Sequence, residues 1–261
     1  MKGLVIGMAF IKKIKTDGLN TEVYTDRASM GEAAAKMAAD RINKAIMEKG
    51  EANVIFAAAP SQNETLAALL KENVDFTKVN AFHMDEYAGL SKTHPQSFGM
   101  YLNEHIFGKA PFKSVNIISA DKDIDEACKE YSELLIAYPT DVVCMGIGEN
   151  GHIAFNDPPV ADFNDSYLIK KVELDDVCRM QQVHDGCFTD FDSVPRYALS
   201  LTVPALMSAK SLVCTVPAST KAEAVYRTLN WEINEACPAT AMRLHSDATM
   251  FLDADSASKI L

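Results

Sequence analysis

The chain has no run of about 18 uninterrupted apolar residues, which excludes a transmembrane helix. It also has no C-x-x-C pair. Its six cysteines, Cys128, Cys144, Cys178, Cys187, Cys214 and Cys237, are scattered. Neither a zinc site nor a disulfide framework is indicated, and reduced thiols in a reducing compartment are expected. Positive charge is scarce: 25 Lys and Arg stand against 36 Asp and Glu, a net charge of −11. That balance argues against a nucleic-acid surface. It also means that an anionic small substrate needs a local cation set against the global field. No polar low-complexity linker and no internal repeat divides the 261 residues, so one domain is expected. The apolar start, Met1 to Ile11, is short, and Lys12-Lys13-Ile14-Lys15 offers no small-residue cleavage site. Residues 1–20 therefore read as an N-terminal arm ahead of a domain over 21–261, in a soluble cytoplasmic protein with no membrane segment.

What is present is alternation. Apolar runs at Glu22–Thr25, Asn53–Ala59, Val79–Met84, Ser114–Ile118, Asp141–Ile147, Tyr197–Val203, Ser211–Val216 and Ala248–Leu252 read as strands. Helical patterns separate most of them. The first runs from about Ala28 to Lys49, capped by Asp26 and stopped by Gly50. Others follow at Glu64–Glu72, Ser97–His105, Ile124–Ala137 and from Ser219 or Thr220 to Leu229, with a last short helix after Asp253. This order predicts an α/β fold of the Rossmann-like kind: a single, mostly parallel sheet with helices on both faces. The less periodic stretch around 160–190, with Tyr167–Val172 strand-like and Cys178–Asp185 helical, predicts a lid.

In such sheets ligands bind beyond the carboxyl ends of the strands. Four segments fall there. Met145 to Pro158 packs three glycines, Gly146, Gly148 and Gly151, around His152, with Asn150 and Asp157 beside it. Asp85-Glu86-Tyr87 ends a strand and offers a carboxylate; these residues also suit a solvated loop. Ala59 to Asn63 opens a helix whose N–H groups suit an anion, although a plain turn explains that loop equally well. Lys221 falls in a helix first turn, where the dipole disfavours a cation, so it is either a solvated residue or an anion ligand. Together the four predict a site with a carboxylate, a histidine and a lysine, suited to proton transfer on an anionic substrate. The remaining histidines, His83, His94, His105 and His245, read as structural or surface residues.

Met84-Asp-Glu-Tyr87, His94-Pro-Gln-Ser97, Gly146-x-Gly148-x-x-Gly151-His-Ile-Ala-Phe-Asn-x-Pro158 and Val194-Pro-Arg-Tyr-Ala-Leu199 together resemble the glucosamine-6-phosphate deaminase (isomerase) family. The likeness runs from about Val54 to Leu252. The related 6-phosphogluconolactonases share the fold and a similar Gly-His loop, but this chain continues Ile153-Ala-Phe-Asn156, as the deaminases do. The resemblance implies conversion of an aldose amino sugar phosphate to a ketose phosphate and ammonia, with no metal and no organic cofactor. It implies that Asp85 carries the proton between C2 and C1. His152 is implied to open the ring, oriented by Asn150 and Asp157, and Lys221 to bind phosphate. Ser61, Gln62 and Asn63, with Gly148 and Gly151, are implied to line the substrate site. Both a monomer and a homo-oligomer fit the resemblance.

Three positions depart from the family pattern. Ala59-Pro-Ser-Gln-Asn63 stands where a Thr-Gly-Gly-Thr-Pro-like phosphate loop is usual, and Pro60 removes a backbone donor. No arginine stands near His184 or Asp185, where the family's lid arginine falls; Arg179 is the nearest in sequence. Asn150 and Asp157 replace the more usual Asp and Glu. Two alternatives share the fold: a sugar-phosphate lactonase or non-aminated sugar isomerase, and a non-catalytic sugar-phosphate sensor.

Overall fold

The computed structural model describes residues 10–184, 186 and 188–261. The expected arm therefore lies outside the described residues over 1–9. From residue 10 onward the chain is not an arm. Phe10–Thr16 (β1) and Leu19–Tyr24 (β2) form an antiparallel hairpin, with β2 beginning earlier than the apolar pattern indicated. Lysines at 12, 13 and 15 disguise it: β1 pairs with β2 along one edge only, and its side chains are exposed or half-buried, an edge-strand pattern.

The chain then alternates as its sequence indicates: α1 (Arg27–Lys49), β3 (Ala52–Phe56), α2 (Asn63–Leu69), β4 (Val79–His83) and β5 (Asp85–Tyr87). Next come α3 (Phe98–Leu102) with a π turn over Asn103–Phe107, β6 (Ser114–Asn116), α4 (Ile124–Ala137) and β7 (Val142–Met145). The last part holds β8 (Ile169–Glu173), α5 (Asp176–His184), β9 (Tyr197–Leu201), α6 (Val203–Met207), β10 (Ser211–Val216), α7 (Ala222–Asn230) and β11 (Ala248–Leu252). The caps read from sequence are in place. Asp26 accepts the Ser29 N–H at 2.8 Å, and Gly50 ends α1 at φ 85°, a left-handed conformation suited to glycine. The short helix expected after Asp253 is instead a run of turns.

Among the described residues eight strands form one sheet in the order β1-β2-β11-β10-β7-β3-β4-β6, parallel throughout except for the β1–β2 pair. Side chains alternate across it. Ile55, Phe82, Val143, Met145 and Met250 face one core with α4, α6 and α7, while Val54, Phe56, Ala81, Cys144 and Phe251 face the other with α1, α2 and α3. Each such fully buried large side chain contributes roughly 1.5–3 kcal/mol. Cys144 and Cys214 lie buried within strands as small hydrophobes, and burial pushes both thiols up. No helix among the described residues is long and apolar enough to cross a membrane.

β5, β9 and β8 form a second, antiparallel sheet, which sequence patterning merged with the first. Beneath it Tyr87, Phe155, Val172, Leu174, Val194 and Ala198 make a third small core. Tyr87 packs against Phe98 and Phe155 with ring centroids 4.7 and 5.5 Å away.

Candidate active site

β10, β7, β3 and β4 are neighbours and all parallel, so the segments leaving their carboxyl ends emerge side by side. Chain order reverses between β3 and β7, the position at which an open α/β sheet parts to admit a ligand. A cavity of about 210 Å³ occupies this place. Its lining includes Ser61 and Gln62 after β3, Asp85 after β4, Gly148 and His152 after β7, and Thr220 and Lys221 after β10. Four segments distant in sequence therefore meet in one cavity.

His152 is held from three sides. Its N–H donates to Asn150 Oδ1 at 2.9 Å, and its carbonyl accepts the Gly148 N–H at 2.9 Å. Its Nδ1 stands 2.9 Å from Asp157 Oδ1, a close polar contact without the alignment of a hydrogen bond. Asn150 Nδ2 donates to the same Asp157 oxygen at 2.7 Å. Asn150 and Asp157 thus stand behind the imidazole rather than in the cavity lining. Gly148 leaves room for the ring, since a Cβ there would overlap Cε1, Nε2 and Nδ1. Gly151 turns the loop at φ 88° and packs on Cys237. Asn156, buried, donates from Nδ2 to the carbonyls of Ile153 and Leu201, each at 2.8 Å, locking the loop to β9.

Asp85 reaches the cavity because β5 pairs with β9, placing Asp85 opposite Ser200. Burial, helped by the neighbouring charge of Glu86, holds its carboxyl well above the ordinary carboxylate range. Glu86 points the other way and accepts three backbone N–H groups, from Tyr87 at 2.9 Å, Phe98 at 3.0 Å and Gly99 at 2.9 Å. Burial still dominates and pushes Glu86 up to about 7. By this grip Glu86 holds the wall segment Pro95 to Phe98 against β5. His83, the last residue of β4, is structural: Nε2 accepts the Ile118 N–H at 2.8 Å, and burial pushes it down to about 3.

The altered loop after β3 is a short 3-10 turn over Pro60–Gln62 that runs into α2. Gln62 is clasped by β10: Oε1 accepts from Thr215 Oγ1 at 2.8 Å, and Nε2 donates to Thr215 O at 3.3 Å and Ser61 Oγ at 3.1 Å. Its amide is therefore a brace. Because Ser61 Oγ accepts from Gln62, the Ser61 hydrogen is left to donate to another group. Asn63 does not line the cavity; its Oδ1 accepts from Tyr101 OH, and Tyr101 lines the wall instead.

On the opposite side, Ala218 adopts φ 81° and ψ 148°, a conformation that disfavours any side chain. Asp253 holds it there, accepting the Ala218 N–H at 3.0 Å and the Ser256 N–H at 2.8 Å. The sharp turn carries Thr220 and Lys221 into the cavity wall.

Of the residues singled out in the sequence, Asp85, His152, Gly148, Ser61, Gln62 and Lys221 converge on the cavity. Asn150, Asp157 and Gly151 lie behind it, and Asn63 is turned away. Arg179 lies outside the cavity lining. Its Nη2 donates to the carbonyls of Phe191 and Val194 at 2.9 and 3.0 Å, and its guanidinium covers the Phe191 ring. His184 is exposed outside the lining, and Asp185 and Cys187 lie outside the described residues. Patterning missed several polar residues of the wall, Gln182 and Arg27 among them. Gln182 of α5 accepts from Tyr87 OH at 2.7 Å, and Arg27 opens α1. Helix periodicity alone marks neither one.

Residues 25–251 match the family described as glucosamine-6-phosphate isomerases/6-phosphogluconolactonase. The glucosamine-6-phosphate deaminase of Listeria welshimeri is 36% identical over 228 residues, covering 87% of this chain and 95% of that protein. Glucosamine-6-phosphate deaminase 1 of Bacillus subtilis is 32% identical over 238 residues, covering 88% and 94%. The solved structure of a monomeric glucosamine-6-phosphate deaminase superposes with a TM-score of 0.83 at 30% identity, over 91% of this chain and 98% of that one. A 6-phosphogluconolactonase from Thermotoga maritima shares the fold, with a TM-score of 0.73 at 18% identity over 89% of this chain and 98% of that one.

Proposed function

Because this chain belongs to the glucosamine-6-phosphate isomerase and 6-phosphogluconolactonase family, we infer that its cavity isomerises and deaminates an amino sugar 6-phosphate, giving a ketose phosphate and ammonia. The observation that carries the reading is the meeting of Asp85, His152 and Lys221 in one cavity from three separate strand ends. Each brings a property the reaction needs.

The roles follow the order of bond changes. His152, steadied by Asn150 and Asp157, takes the proton of the anomeric hydroxyl and gives one to the ring oxygen, which opens the sugar. Asp85 then removes the C2 proton and returns it to C1 through an enolamine. Its burial suits this step, because a carboxylate out of water and above its ordinary range is a stronger base. Water adds to the resulting C2 imine, and ammonia leaves as the ketone forms. Lys221 and the Ser61 hydroxyl take the phosphate, and Gln62 acts by fixing Ser61 in place. The segment around 160–190 serves as the lid, with Gln182 closing one wall. Buried free thiols at Cys144 and Cys214 accord with a reducing, cytoplasmic setting.

The test is ammonia release from glucosamine 6-phosphate, with galactosamine 6-phosphate and free glucosamine alongside. Release from the glucosamine phosphate, and far less from the free sugar, is the expected result. Release only from the galactosamine phosphate keeps the mechanism and changes the substrate. No release from any of the three contradicts the reading.

A further inference from the structure

The phosphate end of the cavity has less positive charge than its task demands. A phosphate monoester carries roughly −1.5 to −2 charges near neutrality, and the whole chain adds a net −11. The lid contributes no arginine, since Arg179 is spent on two carbonyls. Among the described residues lining the cavity, the lysines and arginines are Lys221 and Arg27.

Arg27 is oddly placed for a purely structural residue. It is the first residue of α1, where the helix dipole disfavours a cation. Its Nε and Nη2 grip Glu64 at 3.0 and 2.9 Å, and Nη2 also donates to the Pro60 carbonyl at 3.0 Å. Pro60 belongs to the loop that replaces the glycine-rich one. The two helices approach closely enough for this because position 31 is glycine; a Cβ there would lie 2.6 Å from Glu64 Cβ. The grip uses one edge of the guanidinium. Nη1, with two N–H groups, makes no hydrogen bond among the described residues. A half-exposed ion pair of this kind contributes little by itself. The Pro60 carbonyl keeps the guanidinium at the cavity wall, while the Glu64 carboxylate offsets its charge there.

We propose that Arg27 is a phosphate-binding residue, its Nη1 supplying the guanidinium contact that the lid lacks. The phosphate is then held from Arg27 on the α1 side, Ser61 on the loop and Lys221 across the cavity. Arg27 rather than a glycine-rich loop makes this variant site specific for a phosphorylated sugar. The inference rests on the sugar-phosphate reading above. It assigns opposite effects to the two partners of the ion pair. Losing Arg27 removes a donor, whereas losing the Glu64 charge removes a competitor for the same guanidinium.

The experiment measures binding of glucitol 6-phosphate, an open-chain phosphate with no carbonyl to react, to the wild type, Arg27→Gln and Glu64→Gln, with glucitol as the unphosphorylated control. Melting temperature is followed in each. Arg27→Gln is expected to weaken glucitol 6-phosphate by roughly ten- to a hundredfold, the loss of charge-assisted hydrogen bonds. Glu64→Gln is expected to bind it as tightly as the wild type or more tightly. Arg27→Lys, which keeps the charge without the fork, is expected to fall between. Equal weakening by Arg27→Gln and Glu64→Gln, or wild-type affinity in Arg27→Gln, overturns the proposal. If Arg27→Gln unfolds, Arg27→Lys and Glu64→Gln decide by the same opposite signs. Wild-type binding of glucitol 6-phosphate that depends on Arg27, without ammonia release from an amino sugar phosphate, removes the deaminase reading alone. Ammonia release with an unchanged KM in Arg27→Gln removes the Arg27 assignment alone.

Discussion

The imidazole of His152 occupies the space that Gly148 leaves by having no side chain. Any Cβ at 148 would overlap three of the ring atoms. The glycine is therefore a constraint on where a proton can be delivered. Gly148→Ala is expected to turn the ring out of the cavity while the sheet stays intact, because the displaced atoms belong to a rotatable side chain. Turnover should fall by about 10²–10⁴-fold, the usual contribution of a positioned acid–base group. Melting temperature should change little. Steady-state kinetics beside a thermal melt check both statements; full activity in the alanine variant would show that the ring position is immaterial.

Glu86 gives a pH-dependent stability. Its folded-state value is raised to about 7 by burial, against an ordinary 4.5. The folded state therefore binds more protons than the unfolded state between those values. Stability from this group is fullest below about pH 4.5 and declines as pH rises toward about 7, by on the order of 3 kcal/mol at most. Glu86→Gln is expected to lose that slope. It should also loosen Phe98 and Gly99, since one amide oxygen cannot accept the bonds that two carboxylate oxygens now accept. Denaturant titrations of both proteins from pH 4 to 8 test this. Parallel curves would mean that Glu86 does not titrate in that range.

The neighbouring charge of Glu86 is also the second cause, after burial, that raises Asp85. In the wild type the acidic limb of kcat/KM should therefore lie above the ordinary carboxylate value of about 4. In Glu86→Gln it should move down. A limb that stays in place would assign it to another group.

Ala218 sits at a φ of 81° under the hold of Asp253. Ala218→Gly should relieve strain and stabilise the protein by about 1 kcal/mol, with activity kept. Asp253→Ala should free the turn and raise KM for a phosphorylated substrate more than it lowers kcat, because Lys221 is carried by that turn. If both variants melt as the wild type does, the turn holds no strain.

Much of this architecture was legible in the sequence. Strand and helix alternation, the caps Asp26 and Gly50, and the convergence of four strand ends all follow from local patterns, and the sheet order explains why those ends meet. The β1–β2 hairpin was hidden by lysines on an edge strand, and β5 by its length of three residues. The site's supports were not legible for a different reason. Gln62 is held by Thr215, Arg27 by Glu64 and Ala218 by Asp253, and each pair is joined by folding across many residues. Residue type at one end of such a pair does not disclose the other. Gln62 lines the cavity and also braces Thr215, and Asn63 holds Tyr101 from outside the lining; neither bond shows in the sequence.

The most direct test of the account is ammonia release from glucosamine 6-phosphate by the wild type and by Asp85→Asn, under identical conditions and with melting temperatures recorded. The account predicts equimolar ammonia and fructose 6-phosphate from the wild type, and a loss of about a thousandfold or more in a folded Asp85→Asn protein. Wild-type turnover in Asp85→Asn would contradict it.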